Sequence, residues 1–185
     1  SQPMAFFCDT ALGRCQRLKR LTVDGGIFVA PDWSALAMLT RLQHLELTAC
    51  HAADEVNGHA SLRALSTLTA LTSLHISLGS IPAAITHLPA VCELYLGSLE
   101  SDEWEPGWAL PGGPWLRQLR ELRMLAGDVG SIEAVLREAT QLHSMELEGC
   151  AWLQFTEAEG PLLLRLPLTN VYIDKRPEEA TSSVP

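Results

Sequence analysis

The chain has 185 residues, of which 47% are hydrophobic and 19% are charged, a composition typical of a folded domain and not of a disordered segment. Its formal net charge of −9 disfavours the phosphate backbone of a nucleic acid as a partner. No stretch approaches the roughly 20 consecutive apolar residues that span a bilayer, so we expect no membrane insertion.

The cysteines are odd in number and widely spaced. They are Cys8, Cys15, Cys50, Cys92 and Cys150. The sequence contains no CxxC pair and no Cys/His cluster with the spacing of zinc ligands, so we predict neither a metal site nor a cofactor site. The pattern favours reduced thiols that are buried as small hydrophobic side chains. We therefore expect a cytoplasmic, intracellular protein.

A short apolar pattern, Leu-x-x-Leu-x-Leu with related residues allowed, occurs seven times along the chain. The matches begin at Leu18, Leu42, Leu71, Val91, Leu119, Leu142 and Leu168. Neighbouring matches start between 20 and 29 residues apart. The last two apolar positions of each match alternate with polar ones, which is the period of a strand with one buried face. The sequence therefore predicts seven short strands.

The segments between these matches carry apolar residues near every third position, as in Trp33, Leu36 and Leu39 ahead of Leu42. This period predicts short 3₁₀ or α-helical turns that pack inward. A longer helix is predicted over Ser131–Glu138, with Ser131 as its cap.

Seven matches at this spacing resemble the leucine-rich-repeat family over nearly the whole chain. The resemblance implies an α/β solenoid of about seven repeats. A parallel β-sheet would form its concave face, and short helices, 3₁₀ turns and loops its convex face. We expect the repeat domain to span 1–175 and a polar C-terminal tail to span 176–185. The family places Asn or Cys where the chain bends after each strand, and Cys50 and Cys150 lie at that place.

The segment Leu99–Trp115 interrupts the rhythm, and its two Pro-Gly pairs predict a loop. It holds Trp104, Trp108 and Trp115. Trp104 and Trp108 are candidates for contact with a partner, because tryptophan is enriched among the residues that dominate interface energies. The alternative is that the three tryptophans cover the convex side of the core.

Between the two inward residues of each strand lies one residue that points over the concave surface. These residues are the candidate protein-binding positions. They are Glu46, His75, Tyr95, Arg123, Glu146 and Tyr172. His75, Tyr95 and Arg123 belong to consecutive repeats, and we expect them to form the centre of the binding face. The alternative is a solvated sheet face with no partner.

The sequence carries no signature of an enzyme: GxSxG, a Walker loop, HExxH and GxGxxG before a helix are all absent. We predict no catalytic residues. Cys92 and His75 belong to neighbouring repeats, but Cys92 follows the inward Val91 and does not lie on the concave face.

The resemblance implies a non-catalytic protein-protein interaction module, part of a larger protein, whose partner is a protein of unknown identity. One alternative is a structural domain or subunit buried in a large assembly. A second is the substrate-recognition part of a ubiquitin ligase or of an immune-type receptor. A third, a ligand-sensing or hydrolytic domain, requires a pocket that the sequence does not indicate.

Overall fold

The computed structural model of the protein describes residues 14–28, 30–52, 66–77, 86, 88, 90–97, 108–125, 129–150, 153 and 155–174, with the side chains of 26–28, 30–33, 49–52, 108 and 129–130 excepted. Trp104 and the predicted tail, 176–185, lie outside these residues.

The described residues form short strands that alternate with short helical segments. The strands are β1 (Arg20–Phe28), β2 (His44–Ala52), β3 (Ser73–Ser77), β4 (Glu93–Gly97), β5 (Trp108–Ala109), β6 (Glu121–Leu125), β7 (Val129–Ser131), β8 (Ser144–Glu148) and β9 (Asn170–Asp174). The helices are α1 (Ala30–Ala37), α2 (Glu133–Glu138) and α3 (Gly160–Leu163), and a 3₁₀ helix spans Pro114–Gln118.

Seven of these strands form one parallel sheet in the order β1-β2-β3-β4-β6-β8-β9. Each contains the second half of one Leu-x-x-Leu-x-Leu match, so the sheet has one strand per repeat. The register follows the motif: Leu74 lies opposite Leu94, and Leu94 lies opposite Leu122. This confirms the predicted leucine-rich-repeat solenoid with its parallel sheet.

A repeated backbone contact fixes this register. Just before β3, the carbonyl of Thr72 accepts hydrogen bonds from the N–H groups of Cys92 and Glu93 at 2.9 and 3.1 Å. In the next repeat the carbonyl of Cys92 accepts from Arg120 and Glu121 at 2.8 and 3.0 Å. The same double acceptance recurs at Lys19, Gln43, Arg120 and His143. Each repeat thereby holds the next one in alignment, as stacked units require.

The core combines the three apolar positions of each motif with apolar residues of the connecting segments, such as Leu39, Trp115 and Leu136. In the five central repeats all of the motif side chains are at most 3% exposed. In the first and last repeats they are more accessible: Leu18 and Leu21 are only partly buried, and Val171 is 47% exposed. Burying a leucine contributes about 1.5–3 kcal/mol, so the central repeats contribute most of the hydrophobic stabilisation.

The two predicted cysteine turns differ. Cys150 follows Gly149, which has φ of +69°, and its thiol is fully buried and contacts the carbonyl oxygen of Glu148 at 3.8 Å. Burial raises the pKa of this thiol to about 11, so it stays protonated. At Cys50 the expected bend is wrong, because β2 continues to Ala52. Cys50 lies opposite Gly26, because β1 and β2 keep the same register on both sides of Gly25, which has φ of +73°.

The convex side departs from the predicted loop Leu99–Trp115. Residues 99–107 lie outside the described residues, but Trp108–Ala109 is strand β5, which pairs in parallel with β7. Trp115 begins the buried part of the 3₁₀ helix and is 3% exposed, which agrees with the interpretation that it covers the core.

Helix α2 begins at Glu133, two residues later than predicted, because Ser131 belongs to β7. The Ser131 hydroxyl nevertheless accepts a hydrogen bond from the Glu133 N–H at 3.2 Å. At the other end of α2, the Glu138 carboxylate accepts the N–H of Gly113 at 3.2 Å and ties the helix to the 3₁₀ segment.

Candidate functional site

The register places the candidate binding residues side by side across the sheet. We call this set the central row. It runs Thr22, Glu46, His75, Tyr95, Arg123, Glu146 and Tyr172, each opposite the next on neighbouring strands. Successive side chains of a strand point to opposite faces, so in the five central strands the apolar residues beside the row are buried while the row itself faces outward. Their role in binding stays a prediction.

Side-chain contacts join six of these residues into one continuous chain, which begins where the Thr22 hydroxyl donates to a Glu46 carboxylate oxygen at 3.1 Å. The Nδ1 atom of His75 lies 3.2 Å from a Glu46 carboxylate oxygen. The His75 ring meets the Tyr95 ring edge to face, with centroids 3.7 Å apart and planes at 67°. The Arg123 guanidinium lies 5.3 Å from the centre of the Tyr95 ring and pairs with Glu146 through its Nε atom at 3.0 Å. Each side chain therefore restrains its neighbour.

Opposing influences set the charge of His75. Burial lowers the pKa of its imidazole below 6.5, the nearby Glu46 carboxylate raises it, and Arg123 lowers it further. Burial prevails, so the imidazole is neutral at pH 7 and its Nδ1–H can donate to Glu46. In the central row the uncharged His75 and Tyr95 therefore lie next to each other. The Glu46 carboxylate lies on one side of them, and the ion pair of Arg123 with Glu146 lies on the other.

Tyr95 is the middle of the chain of contacts. Burial raises the pKa of its phenol, Arg123 opposes this, and Glu148 and Glu146 add to the increase. The phenol stays protonated and can both donate and accept a hydrogen bond. A half-buried tyrosine held between His75 and Arg123 is a pre-ordered contact residue, because little side-chain entropy remains to be lost on binding.

A concavity of about 390 Å³ lies over β3, β4, β6 and β8. The central row contributes His75, Tyr95, Arg123 and Glu146 to its lining. A second concavity of about 240 Å³ lies over β1, β2 and β3 and shares Ser73 and His75 with the first. Together they form a groove that crosses the strands.

Two acidic residues that line the larger concavity are not among the candidate binding residues. Glu93 and Glu121 lie two positions before Tyr95 and Arg123, point the same way and line the larger concavity. They are directly opposite each other on β4 and β6, and both are exposed. The two-residue period of the strands already predicts that both face outward, but it does not distinguish them from the other outward residues as binding positions.

The remaining candidates lie away from this centre. Tyr172 continues the row on β9, opposite Glu146, and is 49% exposed. Trp108 belongs to β5 in the second, two-stranded sheet, so it is not part of the concave sheet. The Cys92 thiol donates to the carbonyl of Thr72 at 3.4 Å.

Within the described ranges, no group of three or more His, Cys, Asp or Glu side chains is placed to hold a metal ion. No helix in the same ranges is long and apolar enough to cross a membrane.

No protein-family model matches the chain, and no curated protein matches it. Among solved structures, the chain is similar to an internalin of Listeria monocytogenes with a TM-score of 0.47 and 19% sequence identity. The match covers 91% of this chain and 57% of the internalin, so the chain spans little more than half the length of that protein. The assignment of the fold rests on the seven-stranded sheet and its register.

Proposed function

We propose that this chain is a non-catalytic protein-protein interaction module that binds its partner on the concave face of the sheet. One observation carries the proposal: the contacts that join Glu46, His75, Tyr95, Arg123 and Glu146 lie in the floor of an open groove. Tyrosine and arginine are enriched at the centres of protein interfaces, and here they are held in place before any partner arrives.

The shape of the groove favours a macromolecule over a small substrate. Pockets that hold small molecules enclose most of the ligand surface, whereas this groove follows the sheet across several strands. Catalysis is not part of the proposal. The protonated phenol of Tyr95 and the neutral imidazole of His75 contact each other but adjoin no activated hydroxyl or thiol in the described part of the row.

The test is capture of a partner from the native source. The full chain, a Tyr95→Ala/Arg123→Ala variant and a control variant would be immobilised, and bound proteins would be identified by mass spectrometry. The control is Arg117→Ala/Arg137→Ala, which removes two exposed arginines outside the concave sheet. We expect one protein to bind the wild type and the control and to be lost from the Tyr95/Arg123 variant, with circular dichroism unchanged. Equal capture by all three would contradict the proposal.

A structural role in a large assembly is the second candidate, and a different observation favours it. At the C-terminal end of the sheet Val171 is 47% and Leu164 is 89% exposed, an apolar surface that an adjoining domain or subunit could cover. Native mass spectrometry of the chain at micromolar concentration distinguishes the two candidates. A stable monomer favours the interaction module, and aggregation relieved by Leu164→Ser favours the assembly role.

We propose further that the chain is part of a larger protein. We propose a cytoplasmic location, supported by the free thiols of Cys92 and Cys150. Cell fractionation with immunodetection tests this, and recovery outside the cell would contradict it. Identification of the partner would decide between a ubiquitin-ligase substrate receptor and an immune-type receptor.

A further inference from the structure

The outward-facing residues of the sheet carry a negative charge that the ion pairs of the central row do not neutralise. Three rows face outward: the central row and the positions two residues before and two residues after it in each strand. Among these positions there are seven carboxylates and two arginines, a formal charge of −5 with histidine neutral, against −9 for the whole chain. The carboxylates are Asp24, Glu46, Glu93, Glu121, Glu146, Glu148 and Asp174, and the arginines are Arg20 and Arg123.

Two pairs of carboxylates lie directly opposite each other on the outward face, Glu93 with Glu121 and Glu148 with Asp174, and of these only the first pair lines the groove. Glu46 and Glu146 are engaged by His75 and Arg123, whereas neither Glu93 nor Glu121 forms an ion pair with any described residue. The two lie directly opposite on adjacent strands, which are about 4.8 Å apart. Like charges in this position repel each other, and a cation between them would relieve the repulsion.

The surroundings of this pair restrict which cation fits. Both carboxylates line the groove beside Tyr95, whose ring offers apolar contact to a long side chain. No third His, Cys, Asp or Glu side chain among the described residues joins this pair in a group that could hold a metal ion. The groove continues past this point over β1 to β3, as an extended segment would require.

We propose that the partner occupies this groove with a basic segment, one Lys or Arg side chain of which lies between Glu93 and Glu121 with its stem against Tyr95. The inference rests on the proposed function and specifies its partner: a protein whose binding segment carries positive charge. The negative charge of the three rows attracts such a segment, and the carboxylate pair selects the position of one cation.

The probe is a phage library of random twelve-residue peptides. It would be selected in parallel on the full chain, on Glu93→Gln/Glu121→Gln, and on Glu133→Gln/Glu157→Gln. The last variant removes the same charge from exposed positions outside the concave sheet. Selected peptides would then be synthesised, and their Kd measured by fluorescence anisotropy at low and high salt, also with Tyr95→Ala/Arg123→Ala.

We expect the wild type and the Glu133/Glu157 control to select peptides enriched in Lys and Arg. Their affinity should fall about tenfold on Glu93→Gln/Glu121→Gln at low salt, and less at high salt because salt screens the attraction. Two results would overturn the basic-segment inference and leave the concave face as the binding site. In the first, the selected peptides depend on Tyr95 and Arg123 but are acidic or uncharged. In the second, they depend on Tyr95 and Arg123 but bind Glu93→Gln/Glu121→Gln as tightly as the wild type. Peptides that ignore Tyr95 and Arg123, or no selected peptides, would count against both.

Discussion

Strands β4 and β9 occupy the same position in their repeats but differ in what surrounds them. β4 lies between β3 and β6, whereas β9 pairs with β8 alone among the described strands. Leu94 on β4 is 2% exposed, and Val171, its counterpart on β9, is 47% exposed. Tyr95 contacts side chains on both neighbouring strands, while Tyr172 is 49% exposed. In a solenoid the neighbours of a repeat, more than its own sequence, determine what each residue contributes.

The largest effect should come from the buried leucine ladder. Leu94→Ala removes a fully packed side chain that β3 and β6 enclose, and we expect it to reduce the free energy of unfolding by about 2–5 kcal/mol. Val171→Ala, at the equivalent position of the end repeat, should cost less than about 1 kcal/mol. Urea unfolding followed by circular dichroism measures both. Similar losses at the two positions would break the comparison.

The polar contacts at the C-terminal end give the next effect. Glu159 is only 3% exposed, and its carboxylate accepts the backbone N–H of Thr156 at 2.6 Å and the Thr156 hydroxyl at 3.1 Å. Glu159→Ala leaves the Thr156 N–H without this acceptor, and we expect a loss of about 1–3 kcal/mol. In the last repeat, hydrogen bonds in the turn ahead of α3 therefore contribute stability that the central repeats obtain from apolar contacts with their neighbours.

Glu157→Ala is the matched control, because Glu157 is exposed in the same turn. It should change the free energy of unfolding by less than about 0.5 kcal/mol. An effect of Glu159→Ala no larger than this would show that the turn contributes little, and that the end repeat depends on its partly buried leucines alone.

Much of this fold follows from the sequence, because the last two apolar residues of each motif predict three things together: the position of the strand, its buried face and its register with the neighbouring strands. Seven motif matches predicted seven strands, and opposite residues in the sheet are equivalent residues in the motif. The convex side was harder to predict. β5 pairs with β7 across 20 residues of chain through backbone hydrogen bonds, and Pro-Gly pairs nearby favoured a loop instead.

The candidate site was predictable in position but not in its interactions. Alternation along each strand placed His75, Tyr95 and Arg123 on consecutive strands, and the register confirms that placement. Their mutual contacts depend on side-chain rotamers, which no repeat pattern specifies. The opposition of Glu93 and Glu121 follows from the register alone and could have been inferred.

The pH dependence of the central row should show the competition between burial and charge. Burial holds the pKa of His75 below 6.5, so the unfolded chain takes up this proton first as the pH falls. His75 therefore contributes a loss of stability that begins near pH 6.5 and is complete below its folded pKa. In Glu46→Gln the carboxylate that raises the pKa is gone, so we expect the pKa of His75 to fall further.

NMR titration of the His75 ring protons measures this shift directly. His75→Gln should remove that part of the pH dependence of unfolding, and His143→Gln, an exposed histidine outside the central row, serves as the control. A higher pKa of His75 in Glu46→Gln than in the wild type would contradict the assigned contact between the two side chains.

The smallest effect on the free energy of unfolding should come from an exposed ion pair on the convex surface of a central repeat. Its central location would predict a large contribution to stability, whereas its exposure to solvent predicts a small one. Arg137 pairs with Glu133 four residues earlier on α2, but the side chains are 61% and 50% exposed. An exposed helical pair of this kind contributes about 0.3–0.5 kcal/mol, and salt screens it. Arg137→Ala should therefore cost no more than this in urea unfolding at low salt, and less at high salt. A loss above about 1 kcal/mol would mean that the central repeats strengthen even solvent-exposed contacts. A small loss would mean that the greater stability of the central repeats comes from side chains buried between neighbouring strands.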